Sequence, residues 1–173
     1  LFQYHRLVSK IVAGIKQTDL RSKKLLITSC AFGNVIPRVV KAAVQAGIPV
    51  VTIPGPSAVT SALAVSGLPA DQFLFLGFLP SRRKERLQAL QRVSRQPYTL
   101  VVFEAPHRLR ASLEDMAAAL GSDRQLAACR ELTKLYEEIF RGTVSQAMEH
   151  FAQPRGEFTL VIAGAEEVKE SEE

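Results

Sequence analysis

Pro54-Gly55-Pro56-Ser57-Ala58 has the composition of a ligand-binding corner. Gly55 lets a ligand approach the backbone with no Cβ in the way. Ser57 can cap a following helix, and its hydroxyl and the N–H groups of the first turn suit a polar ligand. The corner follows Val50-Val51-Thr52-Ile53, β-branched throughout, which reads as a strand covered on both faces. A strand end that becomes a helix start is where open α/β sheets place ligands, although an ordinary βα turn fits the same residues. A second chemistry lies downstream. Between Phe78 and Arg110 stand Arg82, Arg83, Lys84, Arg86, Arg92, Arg95, Arg108 and Arg110 against Glu85 and Glu104, a local +6 in a chain whose net charge is +5. Such a cluster is the electrostatic footprint of a polyanion binder such as RNA, and a solvated helix face is the other reading.

Composition narrows the chemistry further. Cys30 and Cys129 are nearly a hundred residues apart with no CxxC, which argues against a disulfide framework and a thiolate zinc site. His5, His107 and His150 are scattered singly, so no metal site is expected. The dinucleotide, P-loop and nucleophile-elbow signatures are all absent. At 173 residues and 47% apolar, the chain allows one domain or two small ones. No apolar run approaches the eighteen or so residues of a membrane span, which predicts a soluble protein. The first residue is Leu1, with no leader-like segment, and the expectation is a start inside a larger protein or an incomplete gene record.

The elements that must position these residues alternate. Helix is expected at Lys10–Gln17, strand at Leu25–Thr28, helix at Arg38–Gln45 closed by Gly47, strand at Ile48–Ile53 and helix at Ser57–Val65. Gly67-Leu68-Pro69 then breaks the chain, and a domain boundary is expected near Pro69. Beyond it, Gln72–Leu79 reads as a strand with Phe73, Phe75, Gly77 and Leu79 alternating on a half-buried face. A basic amphipathic helix follows at Arg82–Val93, then a buried strand at Thr99–Phe103 and a helix from Pro106 to Gly121. Strands at Leu126–Cys129, Glu138–Arg141 and Phe158–Ala163 and a helix at Thr143–Phe151 complete the unit. Their connections predict a mixed sheet. The segment Glu166–Glu173 carries −4 and reads as an acidic tail.

Seven segments in order resemble the corrin/porphyrin (tetrapyrrole) methylase superfamily. They are Ile53-Pro54-Gly55-Pro56-Ser57-Ala58, Ser66-Gly67-Leu68-Pro69, Gly77-Phe78-Leu79-Pro80, Glu104-Ala105-Pro106-His107-Arg108, Arg130-Glu131-Leu132-Thr133-Lys134, Arg141-Gly142-Thr143 and Arg155-Gly156-Glu157-Phe158. The last four are similar to the branch that methylates bacterial small-subunit ribosomal RNA. The resemblance implies a two-domain α/β fold: residues 1–69 as the remnant of an N-terminal methylase domain, 70–165 as a C-terminal α/β domain, and 166–173 as the tail. It implies S-adenosylmethionine as methyl donor and transfer to the 2′-hydroxyl of a cytidine. It also implies a homodimer, and a cytoplasmic location or a plastid one in a photosynthetic eukaryote.

Site residues follow from the same resemblance. Donor-binding positions are Pro54, Gly55, Ser57, Ala58, Phe103, Glu104, Ala105, Glu131, Leu132 and Thr133. Arg82, Arg83, Lys84, Arg86 and Arg108 are the expected RNA contacts. Methyl transfer from a sulfonium is an in-line displacement governed by positioning and desolvation. A ribose hydroxyl is a poor nucleophile, so a base or a cation near the developing alkoxide would assist. Glu104, His107, Glu131 and Lys134 follow strand ends and are the candidates, with Glu104 paired to Arg108 as the structural alternative. Two departures stand against the family pattern. The GTPIGN-like and AEDTR-like segments do not occur, and Ser29–Asn34 lacks the acidic residue of the family's SDAGTP-type loop. A tetrapyrrole methylase, and a non-catalytic copy retaining at most RNA or partner binding, therefore stay open as alternatives.

Overall fold

The computed structural model describes residues 25–28 and 35–165. The expectations for Lys10–Gln17, for the loop Ser29–Asn34 with Cys30, and for the tail from Glu166 lie outside the described residues. The chain divides into two compact units, Leu1–Ser57 and Ala58–Glu173.

In the first unit, strands β1 (Leu25–Thr28) and β2 (Val50–Ile53) pair in parallel, with Leu25 opposite Val50 and Thr28 opposite Ile53. Helix α1 (Val35–Gln45) connects them and buries Val39, Ala42 and Ala43, spaced to fall on one helical face. Gly47 ends it at φ +68, and the Ile48 N–H returns to the Ala43 carbonyl at 2.9 Å. The expectation that β2 is covered on both faces is not met. Val50, Val51 and Ile53 are 36%, 40% and 48% exposed. β-branching fits the pleat wherever the strand lies, so it marked the strand and not its cover.

The second unit holds a five-stranded mixed sheet in the order β3-β4-β7-β5-β6. Its strands are β3 (Phe73–Phe78), β4 (Thr99–Glu104), β5 (Gln125–Arg130), β6 (Glu138–Thr143) and β7 (Phe158–Ile162). Only β3 and β4 are parallel, and helix α3 (Arg83–Val93) makes the crossover that parallel pairing needs. Helix α2 (Ala58–Ser66) packs Val59, Ala62 and Leu63 against Val101, Ala127, Cys129 and Val161 on one face. That contact puts the helix with the second unit, ahead of the division anticipated near Pro69. On the other face, Leu100, Val102, Leu126, Leu160 and Ile162 meet Leu90 of α3. They also meet Leu109, Leu113 and Met116 of α4 (Pro106–Leu120), and Val144 and Ala147 of α5 (Val144–His150). Covered twice, β4 and β5 carry the apolar runs 100–103 and 126–129, and β7 is apolar apart from Thr159.

Strand β3 departs from the expected alternation. Leu74 and Leu76 turn toward the helical core, whereas Phe73 and Phe75 are more than a third exposed. A bulge between Phe75 and Gly77 shifts the register: Phe75 opposes Val101, Gly77 opposes Val102 and Phe78 opposes Phe103. Gly77 sits at φ +67, which the bulge requires and which glycine tolerates.

Candidate functional site

A cavity of about 400 Å³ opens at the ends of the central strands of the second unit. Phe103 and Glu104 close β4, Ala105 caps α4 and Pro106 opens it, and Glu157 leads into β7, which Phe158 and Thr159 begin. Ala58 at the start of α2 and Phe78 at the end of β3 complete the wall. This volume and this apolar lining suit a small-molecule site. Four of the residues singled out in the sequence, Ala58, Phe103, Glu104 and Ala105, are thereby brought together. Pro54, Gly55 and Ser57 belong to the first unit. Phe78, Pro106, Glu157, Phe158 and Thr159 line the cavity without having been assigned to it. Their signal was present, because Phe78 and Glu157-Phe158 lie inside two of the family-like segments.

The Glu104 carboxylate does not face solvent. Its side chain is 0% exposed. Oε1 accepts the Ala105 N–H at 2.9 Å, Oε2 accepts the Ser112 hydroxyl at 2.5 Å, and Arg108 Nε lies 3.4 Å from Oε1. Ala105, the N-cap of α4, has no side-chain cap of its own, so the buried anion at Glu104 meets the helix's positive end. The arrangement is the Glu104–Arg108 pairing named as the structural alternative. His107 is exposed in the first turn of α4.

Beside the cavity stands a three-residue ionic cluster. Lys134 Nζ lies 3.1 Å from Glu131 Oε1 and 2.7 Å from Glu157 Oε2. The backbones of Glu131 and Glu157 are joined as well: the Glu131 N–H donates to the Glu157 carbonyl at 2.9 Å, and the Glu157 N–H donates to Glu131 Oε1 at 2.8 Å. Glu131 and Thr133 both adopt positive φ, +49 and +66. Non-glycine residues hold that conformation only where the surroundings fix it. The Glu157 N–H, and then Lys134, hold the Glu131 carboxyl below its usual range. Glu157, and then Glu131, raise the Lys134 ammonium. Lys134 is thus a cation at neutral pH, able to stabilise negative charge but not to accept a proton. Leu132 packs against the α2 face of the sheet, and the Thr133 N–H donates to Glu137 Oε2 at 2.5 Å.

The five cationic candidates separate into two kinds. Arg82 and Arg83 have side chains 84% and 74% exposed, and Lys84 is exposed with them. Arg86, named with them as an expected RNA contact, turns inward instead. Its side chain is 6% exposed, bonded to Asp115 and to the carbonyls of Pro80 and Ser81. Arg108, 21% exposed, donates to the carbonyls of Leu79 at 2.6 Å and Pro80 at 3.2 Å. Both are clamps on the corner after β3, because two guanidinium forks donate to the carbonyls of Leu79, Pro80 and Ser81 beyond the strand's end. Among the described residues no helix is long and apolar enough to cross a membrane.

Comparison with known proteins places this chain in a family. The model for Tetrapyrrole (Corrin/Porphyrin) Methylases matches residues 30–148. A protein named ribosomal RNA small subunit methyltransferase I, from Halalkalibacterium halodurans, is 46% identical over 137 residues, 78% of this chain and 47% of that protein. Its namesake from Thermotoga maritima is 44% identical over 150 residues, 83% of this chain and 67% of that one. The chain thus spans about half the length of the first of these relatives. The structure of uroporphyrin-III C-methyl transferase from Thermus thermophilus, complexed with S-adenosyl homocysteine, aligns with a TM-score of 0.51 at 20% identity. That alignment covers 77% of this chain and 58% of the other, and it speaks for the fold alone. With the match running through α2, strands β3 and β4 of the cavity and the Glu131–Lys134 loop, the chain belongs to the tetrapyrrole (corrin/porphyrin) methylase family.

Proposed function

We propose that this chain methylates the ribose 2′-hydroxyl of a cytidine in small-subunit ribosomal RNA, with S-adenosylmethionine as donor. One observation carries the reading: relatives 44–46% identical over most of the chain are named ribosomal RNA small subunit methyltransferase I. The exposed cations Arg82, Arg83 and Lys84 support it, because a small macrocyclic substrate has no need of a cationic helix start.

The cavity fits the donor. Its volume of about 400 Å³ lies in the range of small-ligand sites. Ala58, Phe103, Ala105 and Thr159 would hold the adenosyl group against apolar walls, and bound S-adenosylmethionine supplies an electrophilic methyl on its sulfonium. Glu104 and Glu131 already commit their carboxylates to protein donors, so they act here as positioning groups. His107, exposed next to cavity-lining Pro106, is the group we assign to take the hydroxyl proton. Lys134, tied through Glu157 to the cavity wall, is assigned to stabilise the developing alkoxide. The reading includes a homodimer, which sedimentation would test, and the bacterial cytoplasm as the compartment where ribosomes assemble.

Incubation with tritiated S-adenosylmethionine and small ribosomal subunits tests the reading. Label recovered as 2′-O-methylcytidine is the expected result. Label transferred to a corrinoid precursor in a parallel reaction, and not to RNA, would favour the tetrapyrrole methylase. Absence of any transfer, with RNA binding retained, would favour a non-catalytic copy.

A further inference from the structure

Phe78 is the most exposed phenylalanine among the described residues, at 64%. Simple alternation along β3 would set it on the same face as Leu74 and Leu76. The bulge at Gly77 reverses this and lays Phe78 beside Phe103 on the opposite face. A Cβ on Gly77 would meet nothing within 4 Å, so glycine serves the backbone turn there and not a close approach. The Phe78 ring leans on Phe103 with centroids 5.6 Å apart, and Phe103 is braced in turn by Phe75 at 5.0 Å. Next comes the corner Leu79-Pro80-Ser81, fixed by Arg108 and Arg86. Immediately past it stand Arg82, Arg83 and Lys84, all exposed, with Arg82 paired to Glu85 at 3.4 Å and Arg83 to buried Asp115 at 3.0 Å.

We propose that Phe78 is a stacking platform for an unpaired base of the RNA substrate, with the three cations after the fixed corner on the adjacent phosphates. This inference rests on the RNA reading above. A braced aromatic face next to clustered cations is how proteins hold single-stranded nucleic acid, because every base has a π-face and every phosphate a charge. A purely apolar partner, such as a second copy of this chain, would cover Phe78 but leave the cations without purpose.

The test compares two strands of equal length and equal phosphate number: a single-stranded oligocytidylate RNA and its abasic counterpart. The unaltered protein should prefer the base-bearing strand. Phe78→Ala should remove that preference, weakening oligocytidylate binding by about five- to 150-fold, the range for one aromatic–base stack. Its salt slope should not move, since no cation is lost. Phe78→Trp should restore the preference and Phe78→Leu should not. The comparison is made without methyl donor, because Phe78 also lines the donor cavity. Recovery by leucine, a preference that persists in Phe78→Ala, or equal loss on both strands would each overturn the proposal. A dimer that dissociates in Phe78→Ala while base preference persists would assign the ring to a second copy. If the unaltered protein binds neither strand, the RNA reading itself falls, and this proposal with it.

Discussion

Arg86 and Asp115 form a buried ion pair that ties α3 to α4. Nη2 and Nε of Arg86 lie 2.6 and 2.7 Å from the same oxygen, Oδ2, while Arg83 Nε reaches Oδ1 at 3.0 Å. The Arg86 and Asp115 side chains are 6% and 1% exposed. Removing one partner of such a pair strands the other charge in low dielectric. Asp115→Asn should therefore cost about 3–5 kcal/mol, read as a lower urea midpoint with unchanged m-value. Replacing both, Arg86→Met with Asp115→Leu, should recover part of that loss, because two apolar side chains need no counter-charge although the Pro80 and Ser81 carbonyls lose Arg86.

The exposed cations should behave oppositely. Arg82→Ala, Arg83→Ala and Lys84→Ala together remove three candidate phosphate contacts. The slope of log affinity for small-subunit RNA against log salt should fall by about 2 to 3 in total. Stability should fall by less than Asp115→Asn costs: the exposed Arg82–Glu85 pair contributes little, and Asp115 loses Arg83 from Oδ1 but keeps Arg86 on Oδ2. An unchanged salt slope would make the cluster a solvated helix face.

The contrast between Arg86 and its neighbours shows what the sequence made legible. Helix α3 was readable from Leu87, Leu90 and Val93, and the local charge from counting. Which of four adjacent cations turns inward depends on Asp115, 29 residues away, and no local pattern encodes that distance. Similarly, β3 was visible as a strand, yet its buried face was reversed. Phenylalanine and leucine are both apolar, and the bulge at Gly77 has no unique composition. Phe103, Glu104 and Ala105 were singled out through the family resemblance of the segment at the end of β4, and they line one cavity. Glu157 and Thr159 reach the same cavity from β7, the last strand, by non-local antiparallel pairing with β4.

Gly156 should tolerate no side chain. Its φ is +82, and a Cβ there would sit 2.5 Å from Glu131 Cγ and 2.8 Å from Oε1. Gly156→Ala should cost about 1–2 kcal/mol for the left-handed backbone alone, plus the displacement of Glu131. The double variant with Glu131→Ala relieves the clash but not the backbone strain. It should be less destabilised than the sum of the two single changes, which a double-mutant cycle in urea measures.

The Glu131–Lys134 pair sets a pH window for its loop. Glu131 titrates below its ordinary 4.5 in the folded chain, so its contribution is present above that value and lost as pH falls through the lowered value. Lys134 titrates above its ordinary 10.5, so its contribution is complete below that value and lost as pH rises through the raised one. Amide exchange at Lys134 and Glu157, corrected for intrinsic rates, should show constant protection across neutral pH and a decline at both extremes. Lys134→Met should abolish the alkaline decline; if that decline persists, another group controls the loop.

Cys129 offers a direct reading of the core that supports the cavity. It is 1% exposed on β5, and burial pushes its thiol up to about 11. Only a few thiolates would form at pH 8, and none would be reachable without opening the α2 face of the sheet. In a Cys30→Ser background, iodoacetamide labelling of Cys129 should therefore follow unfolding of the second unit and not local fluctuation. When opening and closing are fast relative to labelling, the rate scales with the open population. Asp115→Asn lies on the far side of the sheet from Cys129 and touches none of its neighbours. If the second unit opens as one cooperative body, that substitution should nonetheless speed labelling by about 100-fold or more, since each 1.4 kcal/mol is tenfold. A labelling rate indifferent to Asp115→Asn would mean that α2 lifts from the sheet independently of α3 and α4.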